Sequence, residues 1–367
     1  MKEIKLLTGS AQEIGEKIQE NFDHMVDTTA KWAELLTFDP FPQTGMTPKE
    51  TVWKKNKAKL YHYIPINGTV SHKVPLLFVY ALINKPFILD IAPGMSMIET
   101  LVNKGFDVYL LDWGEFAWED RNLSIGDLVF DYIAHAVRKV CQFSGMDQLT
   151  ILGYCMGGTI VSMYMSIFNT PKIKNFVTLA APFDFETVGA TSQFIKSKDF
   201  DVDYIVDVYK LIPKNLIDAA VKMLNPVNNY IGTYTRLWKM MDEGMSVYNW
   251  KILNKWVNEN INFPGEAFRQ WAKDIFQNNK IKKKEFSLRN QLIDLSKITC
   301  PVLTMAGKND HIVLPVQAKA FLDMVSSTDK EYMEFNIGHG GLVFGSIARE
   351  EVYPSLAKWL EPRSSLE

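Results

Sequence analysis

The sequence predicts an α/β fold with a mainly parallel central sheet, and three observations lead to this prediction. Short, continuously apolar segments alternate with helical patterns over most of the chain. Continuous apolar strands are typical of a parallel sheet that helices cover on both faces. One apolar segment runs directly into the glycine-rich turn at residues 153–158. The alternation stops between residues 184 and 296, which indicates a large insertion in the α/β core.

The chain begins with a predicted helical segment, and the predicted strands and helices come after it. Residues 11–38 carry Ile14, Ile18 and Phe22 at helical spacing, and from Val52 the pattern changes to short strands. The predicted strands are residues 59–63, 75–80, 107–111, 149–154, 176–179, 302–306 and 332–335. The predicted helices are residues 96–104, 125–143, 157–168, 316–325 and 347–360.

The pattern divides the chain into three parts. Residues 1–45 form an N-terminal helical segment, residues 46–183 and 297–367 form the core, and residues 184–296 form an inserted, mostly helical cap. The insertion is rich in Met, Tyr, Trp and Asp and has no clear β run. The alternative is a second, independent domain. We favour a cap over the active site, because the candidate catalytic residues described below flank the insertion on both sides.

Composition narrows the class of protein. A hydrophobic content of 47% supports a large core, and a net charge of -2 gives no basic surface for nucleic acid. No run of 18 apolar residues and no apolar N-terminal region occur, so we expect neither a transmembrane segment nor a signal peptide. Three cysteines without regular spacing favour a reduced environment, and the expected location is the cytoplasm.

The most informative segment is a strand that leads through Gly-x-Cys-x-Gly-Gly into a helix. Cys155 is its central residue, with Gly153 and Gly157 two positions away on either side. A nucleophile elbow needs small residues at these positions, because its central residue has a strained backbone in a very tight turn. The helix N-terminus beside the thiol favours the thiolate. The segment therefore predicts an α/β-hydrolase fold with Cys155 as the nucleophile, rather than a buried structural cysteine.

The order of residues along the chain selects the acid and the base. A free thiol has a pKa of about 8.5, so a general base should lie near Cys155. In this fold the order is nucleophile, acid, histidine. His339 follows the last predicted strand and Asp310 follows the strand before it, so we predict these two as base and acid. His311 also satisfies the order, but as the direct neighbour of Asp310 it is interpreted as a loop residue.

An oxyanion hole needs two hydrogen-bond donors. The first predicted donor is the backbone N–H of Met156, directly after the nucleophile. The second should come from residues 81–86, which follow the predicted strand at residues 75–80 and are called the oxyanion loop below. Ile83 is the preferred donor, and Asn84 is the alternative.

Five further motifs can be compared with known families, and they lie at residues 80–86, 107–114, 153–158, 267–271 and 307–311. Together they resemble one known family, the polyhydroxyalkanoate synthases. The resemblance covers nearly the whole chain from about residue 45. The resemblance implies an acyltransferase in which Cys155 carries the growing acyl chain, His339 activates it and Asp310 is the third member of the triad. One departure is the pair Gly340-Gly341, where the family leads us to expect Ile or Val soon after the histidine.

The resemblance also implies a substrate and partners. The short members of the family are similar to this chain and work with a small second subunit of PhaR or PhaE type. They favour short-chain (R)-3-hydroxyacyl-CoA, chiefly 3-hydroxybutyryl-CoA, and release CoA. A homodimer and association with polyester granules are expected. No cofactor or metal is expected, since CoA is part of the substrate and the product.

Two other functions fit the same residues. A cysteine-dependent thioesterase or hydrolase would use the same triad but would give a free 3-hydroxy acid. A non-catalytic protein of the granule surface would release no CoA. The presence of Cys155, Asp310 and His339 in the expected order argues against the second alternative, because a site that had lost its activity would not need all three residues.

Overall fold

The computed structural model describes residues 11–37, 43–65, 69–169, 171–189, 192–197, 199–223 and 248–364. Its backbone forms two compact units. The first comprises residues 1–42 and 226–255, and the second comprises residues 43–225 and 256–367. In the first unit, the helix Ala11–Thr37 corresponds to the helix predicted at residues 11–38. The second unit contains the sheet, Cys155 and His339.

An eight-stranded sheet is the centre of the second unit. The strands are β1 Lys49–Lys55, β2 Ala58–Tyr63, β3 His72–Val79, β4 Phe106–Asp112, β5 Leu149–Tyr154, β6 Ile173–Leu179, β11 Val302–Gly307 and β12 Lys330–Phe335. Their order in the sheet is β1-β2-β4-β3-β5-β6-β11-β12. The first two pairings from the β1 edge are antiparallel, and those from β4 to β12 are parallel. The predicted α/β fold with a mainly parallel sheet is confirmed.

Burial follows position in the sheet. All six residues of β5 and all six of β11 are buried, because helices cover both faces there. The edge strands β1 and β12 are mostly exposed or half-buried and carry lysine and glutamate. Charged edge residues discourage pairing with the strands of another chain. The sequence does not indicate the bounds of β1, because the charged residues of this strand interrupt the apolar pattern.

Helices connect the parallel strands and cover the sheet. The described helices of the core are Met97–Asn103, Ile125–Asp127, Ala134–Ser144, Met156–Phe168, Pro315–Lys319, Phe321–Met324 and Tyr353–Leu360. The helices at 125–127 and 134–144 are joined by a π-helical stretch, Leu128–Ile133. Ser124 begins this run with a capping box, in which its hydroxyl accepts from the N–H of Asp127 and the carboxylate of Asp127 accepts from the N–H of Ser124.

The described part of the inserted stretch is mostly helical. Its helices are Ser192–Lys196, Val202–Tyr209, Lys214–Met223, Tyr248–Asn258 and Gly265–Arg269, the last continuing as the π-helical Gln270–Gln277. Two short ribbons pair β7 Leu211–Ile212 with β8 Phe263–Pro264, and β9 Ser287–Leu288 with β10 Gln291–Leu292. A strand of two residues is too short to show the alternation of apolar and polar residues that predicts a strand. Residues 224–247 of the predicted cap lie outside the described residues.

Within the described ranges, no helix has both the length and the apolar character needed to cross a bilayer.

Candidate active site

The turn after β5 has the geometry of a nucleophile elbow. Cys155 has φ 53° and ψ -127°, a conformation that L-residues rarely adopt, and the helix Met156–Phe168 begins directly after it. Its backbone N–H donates to the carbonyl of Leu179 at the end of the neighbouring strand β6, at 2.9 Å. The turn therefore holds Cys155 at the carboxyl edge of the sheet, where α/β enzymes place their sites.

Three glycines make this turn possible, because each lies against other backbone or side-chain atoms. A Cβ on Gly153 would lie 2.2 Å from the Cα of Gly158, and a Cβ on Gly157 would lie 2.3 Å from the carbonyl oxygen of Val79. A Cβ on Gly158 would lie 2.5 Å from the Cβ of Ala181. Contacts below 3.0 Å essentially never occur for real Cβ atoms, so the Gly-x-Cys-x-Gly-Gly pattern is required by packing.

Asp310 and His339, which are 29 residues apart, meet beside the elbow. Nδ1 of His339 lies 2.7 Å from Oδ2 of Asp310. The other oxygen of Asp310, Oδ1, accepts from the backbone N–H groups of Ile312 at 2.8 Å and Val313 at 2.9 Å. Both oxygens of this buried carboxylate are therefore occupied. The carboxylate fixes the ring and leaves Nε2 of His339 for a proton from another group.

The charge of the site is set by burial and by two acidic partners. Burial of the His339 ring lowers its pKa, but the charges of Asp310 and Cys155 and hydrogen bonds to both raise it by more, so the pKa lies well above its usual range. Cys155 is 8% exposed and His339 is 7% exposed. Their interaction with each other therefore takes place almost out of contact with solvent, where a charge pair is screened little.

The other histidines of the described core have structural partners. His62 lies 2.8 Å from Asp107 and stacks on Tyr109, and His72 stacks on Phe106. His311 directly follows Asp310, but the ring that Asp310 holds is that of His339. Among the histidines that the structure describes in the second unit, His339 is the one that lies beside Cys155 and Asp310.

The two predicted oxyanion donors lie on elements that meet at the elbow. Met156 is the first residue of the helix Met156–Phe168, and the first N–H groups of a helix have no partner inside it. The oxyanion loop follows β3, whose last residue Val79 pairs with Gly153 of β5. Trp113 holds the residue just before the loop by donating its indole N–H to the carbonyl of Tyr80 at 3.1 Å. Ile83 and Asn84 lie in this loop, and their role as donors stays a prediction.

Two features of the site were not found from the sequence. The ring of Tyr154 lies 5.4 Å, between centroids, from the ring of His339, and its buried hydroxyl has no hydrogen-bond partner among the described residues. Burial, followed by the charges of Cys155 and Asp310, raises the pKa of Tyr154 well above its usual range. The second feature is a set of contacts between residues 256–261 and the oxyanion loop, described below. Both depend on tertiary packing, which leaves no local signal in the sequence.

The other two cysteines lie elsewhere. Cys141 is on the helix Ala134–Ser144, and Cys300 precedes β11 at the amino end of that strand. Burial raises the pKa of the Cys300 thiol to about 12, and burial also raises that of Cys141. Within the described ranges, no group of three His, Cys, Asp or Glu side chains is arranged to hold a metal ion.

Comparison with known families gives two matches along the chain. The model of the alpha/beta hydrolase fold matches residues 74–346. The model described as the N-terminus of poly-beta-hydroxybutyrate polymerase (PhaC) matches residues 10–101. These two matches overlap and together cover most of the chain.

Several similar proteins are named poly(3-hydroxyalkanoate) polymerase subunit PhaC. The chain is 34% identical to that of Haloferax mediterranei, over 94% of this chain and 70% of the relative. It is 31% identical to that of Synechocystis, over 98% of this chain and 97% of the relative. It is 35% identical to that of Thiocystis violacea, over 93% and 96%.

Solved structures share the fold at low identity. The monoacylglycerol lipase of Paleococcus ferrophilus has a TM-score of 0.53 at 16% identity, over 84% of this chain and all of the lipase. The monoglyceride lipase of Saccharomyces cerevisiae has a TM-score of 0.53 at 13% identity, over 90% of this chain and 99% of the lipase. These similarities support the α/β-hydrolase fold alone.

Proposed function

Because this chain belongs to the PhaC family of poly(3-hydroxyalkanoate) polymerases, which are acyltransferases, we propose that it builds its polyester on the thiol of Cys155. Asp310 and His339 complete the proposed catalytic triad. The observation that carries the proposal is the contact of 2.7 Å between Asp310 and His339, beside a cysteine with φ 53° at the start of a helix. This arrangement provides a nucleophile, a base and an orienting acid in one buried site.

In the proposed first step the substrate acyl group moves from CoA to the enzyme. Nε2 of His339 takes the proton of the Cys155 thiol, and the sulfur attacks the thioester carbonyl of 3-hydroxyacyl-CoA. The new C–S bond forms as the carbonyl electrons move to oxygen, and the bond to the CoA sulfur then breaks. His339 returns the proton to the leaving CoA thiolate. The oxyanion is stabilised by the N–H groups of Met156 and Ile83, each worth about 3 kcal/mol in sites of this kind.

Elongation requires the 3-hydroxyl of an incoming unit to attack the acyl group on Cys155. Either His339 or Asp310 could remove the hydroxyl proton. The contacts favour His339, because one oxygen of Asp310 accepts from two backbone N–H groups and the other accepts from the imidazole. The attack forms a C–O bond, breaks the C–S bond and returns the proton to the cysteine. The product is a longer acyl-CoA held noncovalently, which then acylates Cys155 again and releases CoA.

The chemistry of sulfur and the burial of the site both suit polymerisation. A thioester keeps the acyl group activated for transfer, whereas an ester on serine would hold it at lower free energy. Cys155 and His339 are each more than nine-tenths buried, which restricts water that would hydrolyse the thioester. Substrate therefore reaches the thiol of Cys155 only after the residues that cover it move. We expect the moving element to be the proposed cap at residues 184–296.

The substrate class and the partners are proposed from the family. We propose short-chain (R)-3-hydroxyacyl-CoA, chiefly 3-hydroxybutyryl-CoA, as substrate, and CoA as the co-product with no further cofactor. The similar proteins from Synechocystis and Thiocystis violacea are each named a subunit, which supports a second subunit of PhaR or PhaE type. A homodimer in the cytoplasm, attached to polyester granules, completes the proposal.

The direct test is incubation of the protein with 3-hydroxybutyryl-CoA, with and without a partner subunit, while thiol release and polymer are measured. We expect CoA release with insoluble polyester, and loss of both in Cys155→Ala. Turnover retained by Cys155→Ala would refute the nucleophile. Release of CoA with free 3-hydroxybutyrate would instead indicate a thioesterase, and the absence of CoA release would indicate a non-catalytic granule protein.

A further inference from the structure

Residues 256–261, called the clamp segment below, make hydrogen bonds to the oxyanion loop. The backbone N–H of Ile261 donates to the carbonyl of Ile83 at 2.9 Å. Asn84 and Asn260 form an antiparallel bridge. The clamp segment lies at the end of the helix Tyr248–Asn258 and is at least 170 residues away from the loop in sequence. Such a pairing has to be formed by tertiary structure.

Side chains add two further contacts to the same loop. The indole Nε1–H of Trp256 donates to the carbonyl of Lys85 at 3.0 Å. The ammonium of Lys85 lies 3.3 Å from a carboxylate oxygen of Glu259 and 3.0 Å from one of Glu115. Three successive residues of the loop are thus held by the clamp segment. The ion pair is about one-third exposed and contributes less than the indole bond, which has a fixed direction.

One of these contacts fixes the orientation of the peptide group between Ile83 and Asn84. A peptide bond is planar, so holding the carbonyl of Ile83 also fixes the direction of the N–H of Asn84. Asn84 is one of the two residues that we consider as the second oxyanion donor, and the N–H of the other, Ile83, lies on the adjacent peptide group. The loop begins at the elbow itself, where Val79 pairs with Gly153. An oxyanion donor works only when its N–H is aimed in advance at the developing charge.

The clamp segment is in turn attached to a helix of the proposed cap, Lys214–Met223. The amide of Asn260 donates to a carboxylate oxygen of Asp218 at 3.4 Å, and Lys222 donates to the amide oxygen of Asn258 at 3.2 Å. Lys222 also donates to Asp218 at 2.8 Å. A continuous set of polar contacts therefore links this helix, through residues 258–261, to the oxyanion loop.

We propose that Trp256 is a positioning residue for the oxyanion hole, and that the clamp segment couples movement of the cap helix Lys214–Met223 to the assembly of that hole. When the cap helix moves to admit substrate, the clamp segment moves with it and the peptide group between Ile83 and Asn84 loses its orientation. Closure restores the donors and brings the site to its active geometry. This inference rests on the proposed function of Cys155 and goes beyond it.

The test compares Trp256→Phe with a matched control, Trp359→Phe. Each change replaces an indole by a phenyl ring and so removes one indole N–H. The N–H of Trp256 donates to Lys85, whereas the N–H of Trp359 is buried without a hydrogen-bond partner in the described structure. Phenylalanine at 256 keeps an aromatic side chain and removes the hydrogen bond to Lys85. Single-turnover acylation by 3-hydroxybutyryl-CoA and steady-state CoA release are measured for both variants and for the wild type.

We expect the acylation rate and kcat of Trp256→Phe to fall about tenfold, while KM stays nearly unchanged. Removal of a whole oxyanion donor costs more, about 10²-fold or greater, because Trp256→Phe only loosens the donor. Trp359→Phe should keep the wild-type rate. Two inhibitors separate positioning from general damage. A trifluoromethyl ketone analogue of the substrate adds Cys155 to its carbonyl and forms an oxyanion, whereas a CoA thioether forms none. Trp256→Phe should weaken the ketone about tenfold and leave the thioether unchanged.

The outcomes are distinct. Equal rates in Trp256→Phe and the wild type would overturn the clamp, and so would an equal loss of affinity for ketone and thioether. Failure of the wild type to release CoA or to form an acyl-enzyme would instead overturn the proposed function. If Trp256→Phe does not fold, Glu259→Gln carries the test, with a loss of about twofold for the ketone and none for the thioether. An unchanged ketone affinity in that variant would also overturn the clamp.

Discussion

Replacing Asp310 by asparagine changes one atom of the site and keeps the loop that carries it. Asparagine retains an oxygen that can accept from the N–H groups of Ile312 and Val313, at 2.8 and 2.9 Å in the native protein. Its NH₂ group then faces Nδ1 of His339, where the carboxylate oxygen lies at 2.7 Å. An NH₂ group only donates, so Nδ1 must become the acceptor and Nε2 must carry the hydrogen. In that tautomer His339 cannot take the proton of Cys155.

The expected loss of activity follows from the loss of the base. The same exchange in a serine triad lowers kcat by about 10⁴-fold. A thiol needs less help from a base than a hydroxyl, because a larger fraction of it is ionised at neutral pH. We therefore expect Asp310→Asn to lower the rate of CoA release by on the order of 10³-fold, or about 4 kcal/mol in activation free energy.

The assay is CoA release from 3-hydroxybutyryl-CoA, with folding checked by thermal unfolding. Asp294→Asn is the matched control, because Asp294 also accepts from a backbone N–H, that of Ser296 at 3.1 Å, and is not part of the site. The control should keep its rate, and both variants should remain folded. A folded Asp310→Asn with at least a tenth of the native rate would refute the assignment of Asp310 and His339 as a pair.

Three further predictions concern packing, pH and the other thiols. Gly157→Ala should lower the free energy of unfolding by about 1–3 kcal/mol in urea titrations, because its Cβ would lie 2.3 Å from the carbonyl oxygen of Val79; unchanged stability would contradict the packing of the elbow. A hydrogen bond to Asp107 raises the pKa of His62, so the stability lost in His62→Gln should be greatest below about pH 6.5 and should shrink as pH rises through the folded pKa. Urea titrations at several pH values check this, and a loss that grows with pH would refute it. Cys141→Ser should keep the native rate of CoA release, and a large loss would mean that Cys155 is not the only thiol used.

The sequence predicted the core well because its signals are local. β5 has the predicted bounds, 149–154, since six continuous apolar residues lead into a turn that only glycine permits. The order of nucleophile, acid and histidine selected Asp310 and His339, and the structure places these side chains in contact. Their catalytic roles stay predictions until activity is measured.

The remaining features depend on contacts between distant segments. The hydrogen bond from Trp256 to Lys85 joins residues 171 positions apart, and no periodicity in either segment indicates it. The two-residue strands at 211–212 and 263–264 also have no sequence pattern that predicts them, because the packing around such short strands decides whether they pair. The raised pKa of His339 could not be predicted from the sequence, because it depends on burial of the ring and on the charges of Asp310 and Cys155. These two residues lie 29 and 184 positions away along the chain.

The central claim is that one sulfur atom carries the growing chain. The most direct measurement is mass spectrometry of peptides from protein that has been quenched in acid during turnover of 3-hydroxybutyryl-CoA. We predict 3-hydroxybutyryl units in thioester linkage on the peptide that contains Cys155, and none on those that contain Cys141 or Cys300. Polymer formation with an unmodified Cys155, or with the acyl group on another residue, would contradict this account.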